Sequence, residues 1–554
     1  MNQYVLGIFL GLFLLIALVA IVTTISDVLV KRKLAQQWKS NRRIGGKLDS
    51  EESLVASLML DKDRQLYDSF VDDQTWQDLS FYETFKQIDG AQSSLGSENL
   101  YSRLRLLCFS EDSSFETLQD FLSQHPKQRL EMQLLFAKLG KKNHNQAKKL
   151  VYHPVERNHQ LYLYCFLGAL PLLSLFLVVL NSKVALLLFI GSLTFNILFS
   201  IMGQWSLNLK LENMNYLVKI FYVGMKISKI NFPRQNELER AVKPFSMTRI
   251  LGSVFQGQSG LSEFEVIFLY LNMIFLIPHI AQAYISNKIL KYQNEAEHVL
   301  DILGELETAI SVLHYKEHLE LVCQPNFSTK RGIIGRKLYH PLLNNPVAND
   351  VTFCDNMVIS GDNASGKSTY LRTVAINALI AQSLGFAYAE TLSLSYGHVL
   401  SAMDVTDDIE TGDSYFITES RAIKRMLDSL EHSKMVPHYF FIDELFKGTN
   451  TIERIGAGLG IIQWLAEHPC LYMISSHDIE LVVASGVVNA NYHFDSQYIK
   501  GQIVFDYKIK SGSAVTKNAV HTLESLCYPE EITETAKKMI AHYEASGHWD
   551  LNVE

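Results

Sequence analysis

The residues best suited to chemistry lie in the segment Gly361–Ser368, which reads Gly-Asp-Asn-Ala-Ser-Gly-Lys-Ser. It follows a short apolar run, Met357–Ser360, and precedes a segment with helical spacing, Thr369–Leu384. This is the GxxxxGK[ST] pattern between a strand and a helix, in which glycines let backbone N–H groups turn toward phosphate oxygens. In the pattern Lys367 reaches the β- and γ-phosphates, and the hydroxyl of Ser368 ligates Mg²⁺. The sequence therefore predicts a P-loop that binds ATP with Mg²⁺.

Two further strand ends follow the P-loop in the chain. Tyr439–Ile442 is an apolar run that ends in Asp443 and Glu444. An acid at this place can hold the Mg²⁺ shell, and a second acid can orient the attacking water. A later apolar run, Cys470–Ser475, is followed by His477, which can sense the γ-phosphate. These strands, separated by helices, predict a mainly parallel sheet with helical crossovers.

Four motifs in this order resemble the ATPase domain of the MutS mismatch-repair family. They are Gly361–Leu371, Asp407–Phe416, Asp443–Thr451 and Ser475–His477. The resemblance implies an α/β P-loop NTPase domain of the ABC/MutS type, with ATP hydrolysis coupled to dimer formation. It covers residues 330–530, and the C-terminal stretches 507–512 and 518–529 fit less strictly.

The roles of the family residues transfer to matching positions of this sequence. Glu444, Lys367 and His477 are the expected catalytic residues, and Ser368 and Asp443 are the expected Mg²⁺ ligands. The expected nucleotide contacts are Gly361, Asn363, Gly366, Lys367, Ser368, Thr369 and Ser414. The resemblance implies that Ser414 reaches the nucleotide of a second copy, so the chain is expected to form a homodimer through its ATPase domains. Two departures are Asp362, where the family has Pro, and Asp413, where it has a basic residue.

Long uncharged runs predict membrane segments. Tyr4–Ile25 is long enough to span a hydrocarbon core of about 30 Å. A cleaved signal peptide is the alternative, but the basic cluster of residues 31–43 follows the run instead of preceding it. By the positive-inside rule the N-terminus of this helix faces outward. Leu161–Leu180 and Val184–Met202 form a second, hairpin-like pair with basic residues at its entrance. Three spans then place the ATPase domain on the cytoplasmic side of the inner membrane.

The segment 264–285 is apolar on average but carries Asn272, Pro278, His279 and Gln282. A fourth span would put the P-loop outside the cell, so a buried or interfacial helix is expected here. Residues 50–155 and 205–320 show apolar positions at helical spacing, which predicts an all-α core interrupted by the membrane helices. The predicted organisation is an anchor at 1–30, a helical segment at 31–160, a hairpin at 161–202, a second helical part at 203–325, and the ATPase domain at 326–554.

The helical region carries a looser resemblance to the MutS core, in Asp89–Arg105. The string Phe81-Tyr82-Glu83 fits the Phe-x-Glu of mismatch recognition. However, only some fifty residues separate it from the predicted anchor, which are too few for a recognition domain. We therefore interpret Phe81 as a core residue and expect a membrane-attached MutS relative that lacks that domain.

The composition of the chain limits which partners and which kinds of site are expected. The net charge of −8 gives no global attraction to nucleic acid, so DNA binding needs a local basic patch. The six cysteines are widely spaced, which argues against a zinc site or a disulfide framework.

Two functions stay in competition at this stage. The first is a membrane-held ATPase coupled to double-stranded DNA. The second is a mechanochemical ATPase that moves a protein partner or its own membrane helices without DNA. An ABC transporter subunit fits less well, because the chain has no LSGGQ-type signature.

Overall fold

The computed structural model describes residues 21–22, 24–40, 47–110, 113–154, 157–179, 183–247, 270–362, 364–403, 415–432, 436–499, 502–513, 520, 523–524 and 526–550. Most of the predicted N-terminal anchor, Asn363 and Ser414 lie outside these ranges. The chain divides into two compact units. We call the described parts of 1–66, 86–102 and 112–318 the helical unit, and those of 67–85, 103–111 and 319–554 the nucleotide unit.

The described part of the first half of the chain is mainly helical. The helices whose two ends are both described are α1 (Glu51–Asp63), α2 (Asp73–Asp78), α3 (Phe81–Ile88), α4 (Ser94–Arg105), α5 (Ser113–Gln124), α6 (Pro126–Leu139), α7 (Ala147–Tyr152), α8 (Leu161–Val179), α9 (Lys183–Ile227), α10 (Gln235–Val242), α11 (Ile277–Lys291) and α12 (Gln293–Glu317). Two short strands, β1 (Ser69–Phe70) and β2 (Leu106–Leu107), pair antiparallel within the nucleotide unit.

The second half alternates strands with helices. The strands are β3 (Asn326–Phe327), β4 (Ile333–Leu338), β5 (Asn349–Phe353), β6 (Met357–Gly361), β7 (Thr391–Leu394), β8 (His398–Ala402), β9 (His438–Asp443), β10 (Cys470–Ser476), β11 (Ala490–Ile499) and β12 (Gln502–Ser511). The helices are α13 (Lys367–Leu384), α14 (Tyr415–His432), α15 (Thr451–Ala466), α16 (Ile479–Ser485) and α17 (Glu530–Ser546).

The nucleotide unit is built on a six-stranded sheet in the order β12-β11-β6-β10-β9-β8. Every neighbouring pair is parallel except β11 and β12. The central strands β6, β9 and β10 are continuous apolar runs that are almost wholly buried, as a sheet covered on both faces requires. The predicted α/β fold with a mainly parallel sheet is confirmed for this sheet. A second sheet has the order β3-β7-β4-β5.

Two of the helices predicted from apolar runs are exposed and apolar. By length and composition alone, Leu161–Val178 and Val184–Met202 could cross a membrane, and 22% of each stretch is buried in the structure. The second stretch does not end a helix. It continues without interruption to Ile227, so α9 is one helix of 45 residues.

The segment predicted as a buried or interfacial helix is broken. Residues 270–274 are helical, Leu276 adopts a left-handed φ of +49°, and α11 begins at Ile277 with Pro278 in its first turn. The side-chain amide of Asn196 donates to the carbonyl oxygens of Leu167 (2.8 Å) and Ile274 (2.7 Å). These two bonds join α9 to α8 and to the residues just before the break. Helix α11 packs against both α8 and α9.

A buried carboxylate organises the centre of the helical unit. Glu307 of α12 accepts hydrogen bonds from the backbone amides of Gln92 (2.7 Å) and Ser93 (2.9 Å) and from the Ser93 hydroxyl. It therefore satisfies the amides of the two residues that lead into α4, which lie before the helical hydrogen-bonding pattern begins. Gly96 belongs to this contact, because a Cβ there would lie 2.5 Å from the Glu307 carboxylate. Burial raises the pKa of Glu307 to about 7, although the Ser93 donors oppose that shift.

Replacing Glu307 with Leu should destabilise the helical unit. Each amide left without an acceptor costs about 1–3 kcal/mol. We expect the thermal unfolding temperature of the purified full chain to fall by several degrees. Glu131→Leu on the exposed face of α6 is the matched control. Equal melting temperatures for the two variants would contradict the role of Glu307.

Candidate nucleotide site

The loop between β6 and α13 turns in the way that the glycine pattern predicts. Gly361 has a φ of +146° and Gly366 a φ of +106°, both in the region that favours glycine. A Cβ on Gly361 would lie 2.9 Å from the carbonyl oxygen of Phe494, and one on Gly366 would lie 3.2 Å from the ring of Tyr507. The predicted strand before the loop and the helix after it are confirmed, with the helix starting at Lys367.

Lys367 is turned into this loop. Its amino group donates to the carbonyl oxygens of Gly361 (2.7 Å) and Asp362 (2.9 Å), and only 5% of the residue is exposed. Burial lowers the pKa of Lys367, while the charges of Glu444, Asp443 and Asp362 act in the opposite direction. Burial has already removed part of the hydration of the Lys367 ammonium group. The group therefore loses little further hydration when it binds a phosphate oxygen.

The ends of β9 and β10 meet beside the loop. The two strands are parallel, and Asp443 is aligned with Ser475. The Ser475 hydroxyl donates to the Asp443 carboxylate. The backbone amide of Glu444 donates to the carbonyl oxygen of Ser475 at 3.1 Å, and Glu444 has a left-handed φ of +65°. This turn directs the Glu444 side chain toward the phosphate loop, and Glu444 lines the same pocket as Lys367.

Glu444 and His477 form a close pair, which is an ion pair when His477 is protonated. The Oε2 of Glu444 lies 3.2 Å from the Nδ1 of His477 and 3.5 Å from the Nζ of Lys447. The hydrogen bond to Glu444 raises the pKa of His477 against the effect of burial. Burial acts to raise the pKa of Glu444, but the hydrogen bond from His477 and the charge of Lys447 together bring it below its usual value. Each partner therefore favours the charged form of the other.

The loop, the acid and a second wall enclose a pocket of about 380 Å³. Among the residues that line it are Gly366, Lys367, Ser368, Thr369 and Glu444, all named from the sequence motifs. Gly361, Asp443 and His477 lie beside it through the contacts given above. The roles assigned to all of these residues, and those of Asn363 and Ser414, stay predictions.

The second wall of the pocket was not predicted from the sequence. It consists of Phe494, Tyr507 and the stretch from the end of β4 to the start of β5; the pocket-lining members of that stretch are Leu338, His340, Leu343, Asn345, Pro346, Val347 and Asn349. Burial lowers the pKa of His340 to about 4, with the charge of Arg372 adding to the effect, so this wall is uncharged. The wall comes from three separate stretches of chain, and none of them carries a phosphate-binding pattern that would have revealed it.

Comparison with known proteins agrees with the motifs. Residues 357–544 match the family model for MutS domain V. This part of the chain is MutS-related. Over 222 residues it is 26% identical to the DNA mismatch repair protein MutS of Chloroflexus aurantiacus, a match that covers 39% of this chain and 22% of that protein. Over 257 residues it is 29% identical to the human MutS protein homolog 4, with 43% and 27% covered.

A third MutS relative is the DNA mismatch repair protein MutS 2 of Haloarcula marismortui, 28% identical over 201 residues, with 36% of this chain and 20% of the relative covered. The chain therefore matches less than a third of the length of these relatives. The resemblance predicted from the four motifs is confirmed for the ATPase-like part of the sequence.

The pairing of Glu444 with His477 predicts a measurable titration. His477 should lose its proton at a higher pH than a free imidazole, because deprotonation breaks its ion pair with Glu444. Replacing Glu444 with Gln removes that charge, so the pKa of His477 should fall toward or below its ordinary value of about 6.5. Histidine-selective NMR of the full chain, with His477→Asn for assignment, measures this. An unchanged pKa in the Glu444→Gln variant would contradict the pair.

Proposed function

We propose that this chain is a membrane-anchored MutS-type ATPase that binds and hydrolyses Mg-ATP where two copies meet, coupled to DNA binding. The observation that carries the hydrolytic part is the position of Glu444. Its carboxylate lies against the same pocket as the phosphate loop, and His477 and Lys447 hold it there. A carboxylate beside the γ-phosphate position can orient the water that attacks phosphorus as the bond to the β-phosphate oxygen breaks.

The remaining groups fit the parts of such a site. The pocket offers a cationic, amide-rich end for phosphates and an uncharged wall for a nucleoside. The Ser368 hydroxyl and the Asp443 carboxylate are oxygen donors of the kind that Mg²⁺ prefers. When bound, Mg²⁺ would neutralise charge on the β- and γ-phosphates. Ser414 is proposed to act on the nucleotide of the second copy.

The membrane part rests on α8 and α9, whose apolar stretches expose large side chains such as Phe166, Phe176 and Leu187. With the predicted N-terminal anchor, they would give three spans and an ATPase on the cytoplasmic side of the inner membrane. Basic residues at the entrance of the pair, including Lys148, Lys149 and Arg157, support that orientation.

A basic pocket in the helical unit supports DNA as a partner. It has a volume of about 440 Å³, and four exposed cations line it: Lys226, Lys229, Arg240 and Lys243. Glu239 is the carboxylate among its described lining residues, so the pocket is positively charged. Such clusters attract a phosphate backbone even when the whole protein is acidic.

The position of this pocket along α9 argues against a lipid headgroup as its ligand. Lys226 lies 24 residues beyond Met202 on the same continuous helix, which corresponds to about 36 Å at 1.5 Å per residue. The electrostatic reach of a membrane surface is about 8 Å at physiological salt. A soluble polyanion therefore fits better.

The continuity of α9 favours the alternative function, a mechanochemical ATPase that moves membrane helices without DNA. One helix of 45 residues joins the apolar stretch to the helical unit, so a displacement of residues 203–227 would also displace the stretch 184–202. ATPase activity with and without duplex, branched and mismatched DNA separates the two functions. Stimulation by DNA supports the first, and a rate indifferent to every DNA supports the second.

The site itself is tested by two substitutions. Lys367→Ala should abolish binding of a fluorescent ATP analogue, because the phosphates lose their buried cation. Glu444→Gln should keep binding and slow hydrolysis by about 10²- to 10⁴-fold, the range for loss of a general base. Lys330→Ala, an exposed lysine of the same unit, is the control. Full turnover by the Glu444→Gln variant would overturn the role of Glu444.

The basic pocket is tested by the salt dependence of DNA binding. Neutralising Lys226 and Lys229 with Gln should weaken binding and reduce the slope of log K against log salt by about two, since each lost phosphate contact removes about 0.9. The matched control neutralises Lys127 and Lys149, which are exposed elsewhere on the helical unit. Identical slopes for both double variants would exclude the pocket as the DNA site.

A further inference from the structure

The turn that follows β9 is strained. Glu444 and Phe446 both have left-handed φ values, +65° and +60°. Residues with side chains rarely adopt this region, and they keep it only where surrounding contacts hold them. The turn carries Glu444 and Lys447, so its shape decides where the proposed catalytic carboxylate lies.

A buried side chain on the neighbouring helix α14 is hydrogen-bonded to this turn. Glu419 of α14 is 3% exposed, and its Oε1 accepts a hydrogen bond from the amide of Phe446 at 2.7 Å. The amides of Lys447 and Gly448 also interact with the carboxylate. Burial raises the pKa of Glu419, and these three amides oppose that shift. A carboxylate that faces successive amides binds a turn more strongly than a neutral acceptor would.

The same helix also contacts the turn through apolar side chains. The ring of Phe416 packs against the ring of Phe446, with centroids 5.5 Å apart. Leu445, between the two strained residues, belongs to the same buried apolar cluster as Ile423 and Met426 of α14. Removal of the Glu419 carboxylate would therefore leave the turn docked by apolar contacts while freeing its backbone to leave the left-handed region.

We propose that Glu419 is a positioning residue for Glu444: it holds the strained turn 444–448 in the shape that directs the Glu444 carboxylate to the phosphate loop. The inference rests on the proposed ATP hydrolysis. The contact also connects the turn to the predicted dimer contact. Helix α14 begins at Tyr415, directly after Ser414, the residue predicted to reach the second copy. Glu419 therefore links this helix to the turn that carries Glu444.

The kinetic test separates positioning from general stability. Glu419→Ala should lower kcat about 10- to 100-fold, the loss expected from a displaced catalytic group. Its affinity for Mg-ATP should stay within about threefold, since Lys367 and the phosphate loop are untouched. Glu419→Gln, which keeps an oxygen acceptor for the Phe446 amide, should recover most of the rate. Glu431→Gln, an exposed glutamate on the same helix, is the matched control.

A measurement without turnover tests the contact itself. Hydrogen–deuterium exchange of the full chain should show the amides of 446–448 protected in the wild type and in the Glu431→Gln variant, and exposed in the Glu419→Ala variant. Unchanged protection in Glu419→Ala, or wild-type kcat in that variant, would overturn the proposal. A wild-type protein that shows this protection pattern but no hydrolysis would refute the proposed function and leave the contact intact.

A double substitution adds a further outcome. In the Glu444→Gln background, Glu419→Ala should cause no additional loss of rate, because both changes act through one carboxylate. An additional tenfold loss would mean that Glu419 acts elsewhere and would overturn its role as a positioning residue for Glu444.

Discussion

The register of the parallel strands β6, β10 and β9 is the constraint on which the rest of the candidate nucleotide site depends. Parallel strands present their carboxyl ends at one edge of the sheet, and the pairing of Ser475 with Asp443 and of Ser476 with Ser360 brings those ends level. The phosphate loop leaves the end of β6, and the acids leave the end of β9. A slip of one residue would reverse the side chains of a strand and separate these groups.

Buried carboxylates that bind backbone amides recur in both units. Glu307 satisfies amides of the two residues that lead into α4, and Glu419 satisfies amides of the turn after β9. In both places burial raises the pKa of the carboxyl group, and the donors that face it oppose the shift. The free energy of these contacts comes from groups that would otherwise be buried without partners. Such contacts define a backbone shape that apolar packing alone leaves loose.

In the helical unit, α9 combines two different surfaces on one helix. One helix carries an apolar, exposed stretch at one end and a basic pocket near the other. A rigid rod transmits displacement along its axis, so the proposed membrane and DNA functions share a mechanical element within this unit. The side-chain amide of Asn196, bonded to two carbonyl oxygens, fixes α9 to α8 and to the residues before the break at Leu276.

The sequence by itself determined where the phosphate loop and the strands beside it lie. Glycines, a lysine and a hydroxyl at fixed spacing can form a phosphate loop only between a strand and a helix, and both elements were predicted to within two residues. The strands β9 and β10 were predictable for a different reason. A strand buried on both faces of a parallel sheet is a continuous apolar run and shows no alternation of apolar and polar residues. Helices such as α1 and α12 followed from their periodicity.

The tertiary structure decided what no spacing encodes. Periodicity could not show that α9 continues for 25 residues beyond its apolar stretch, because amphipathic and apolar helices share one backbone geometry. It could not show that His340 and Tyr507 line one pocket with the phosphate loop, since they lie far apart in the chain. Nor could it single out Glu419, a glutamate in an amphipathic helix like any other. Its role depends on which amides lie opposite, and only the packing of α14 against the turn brings them there.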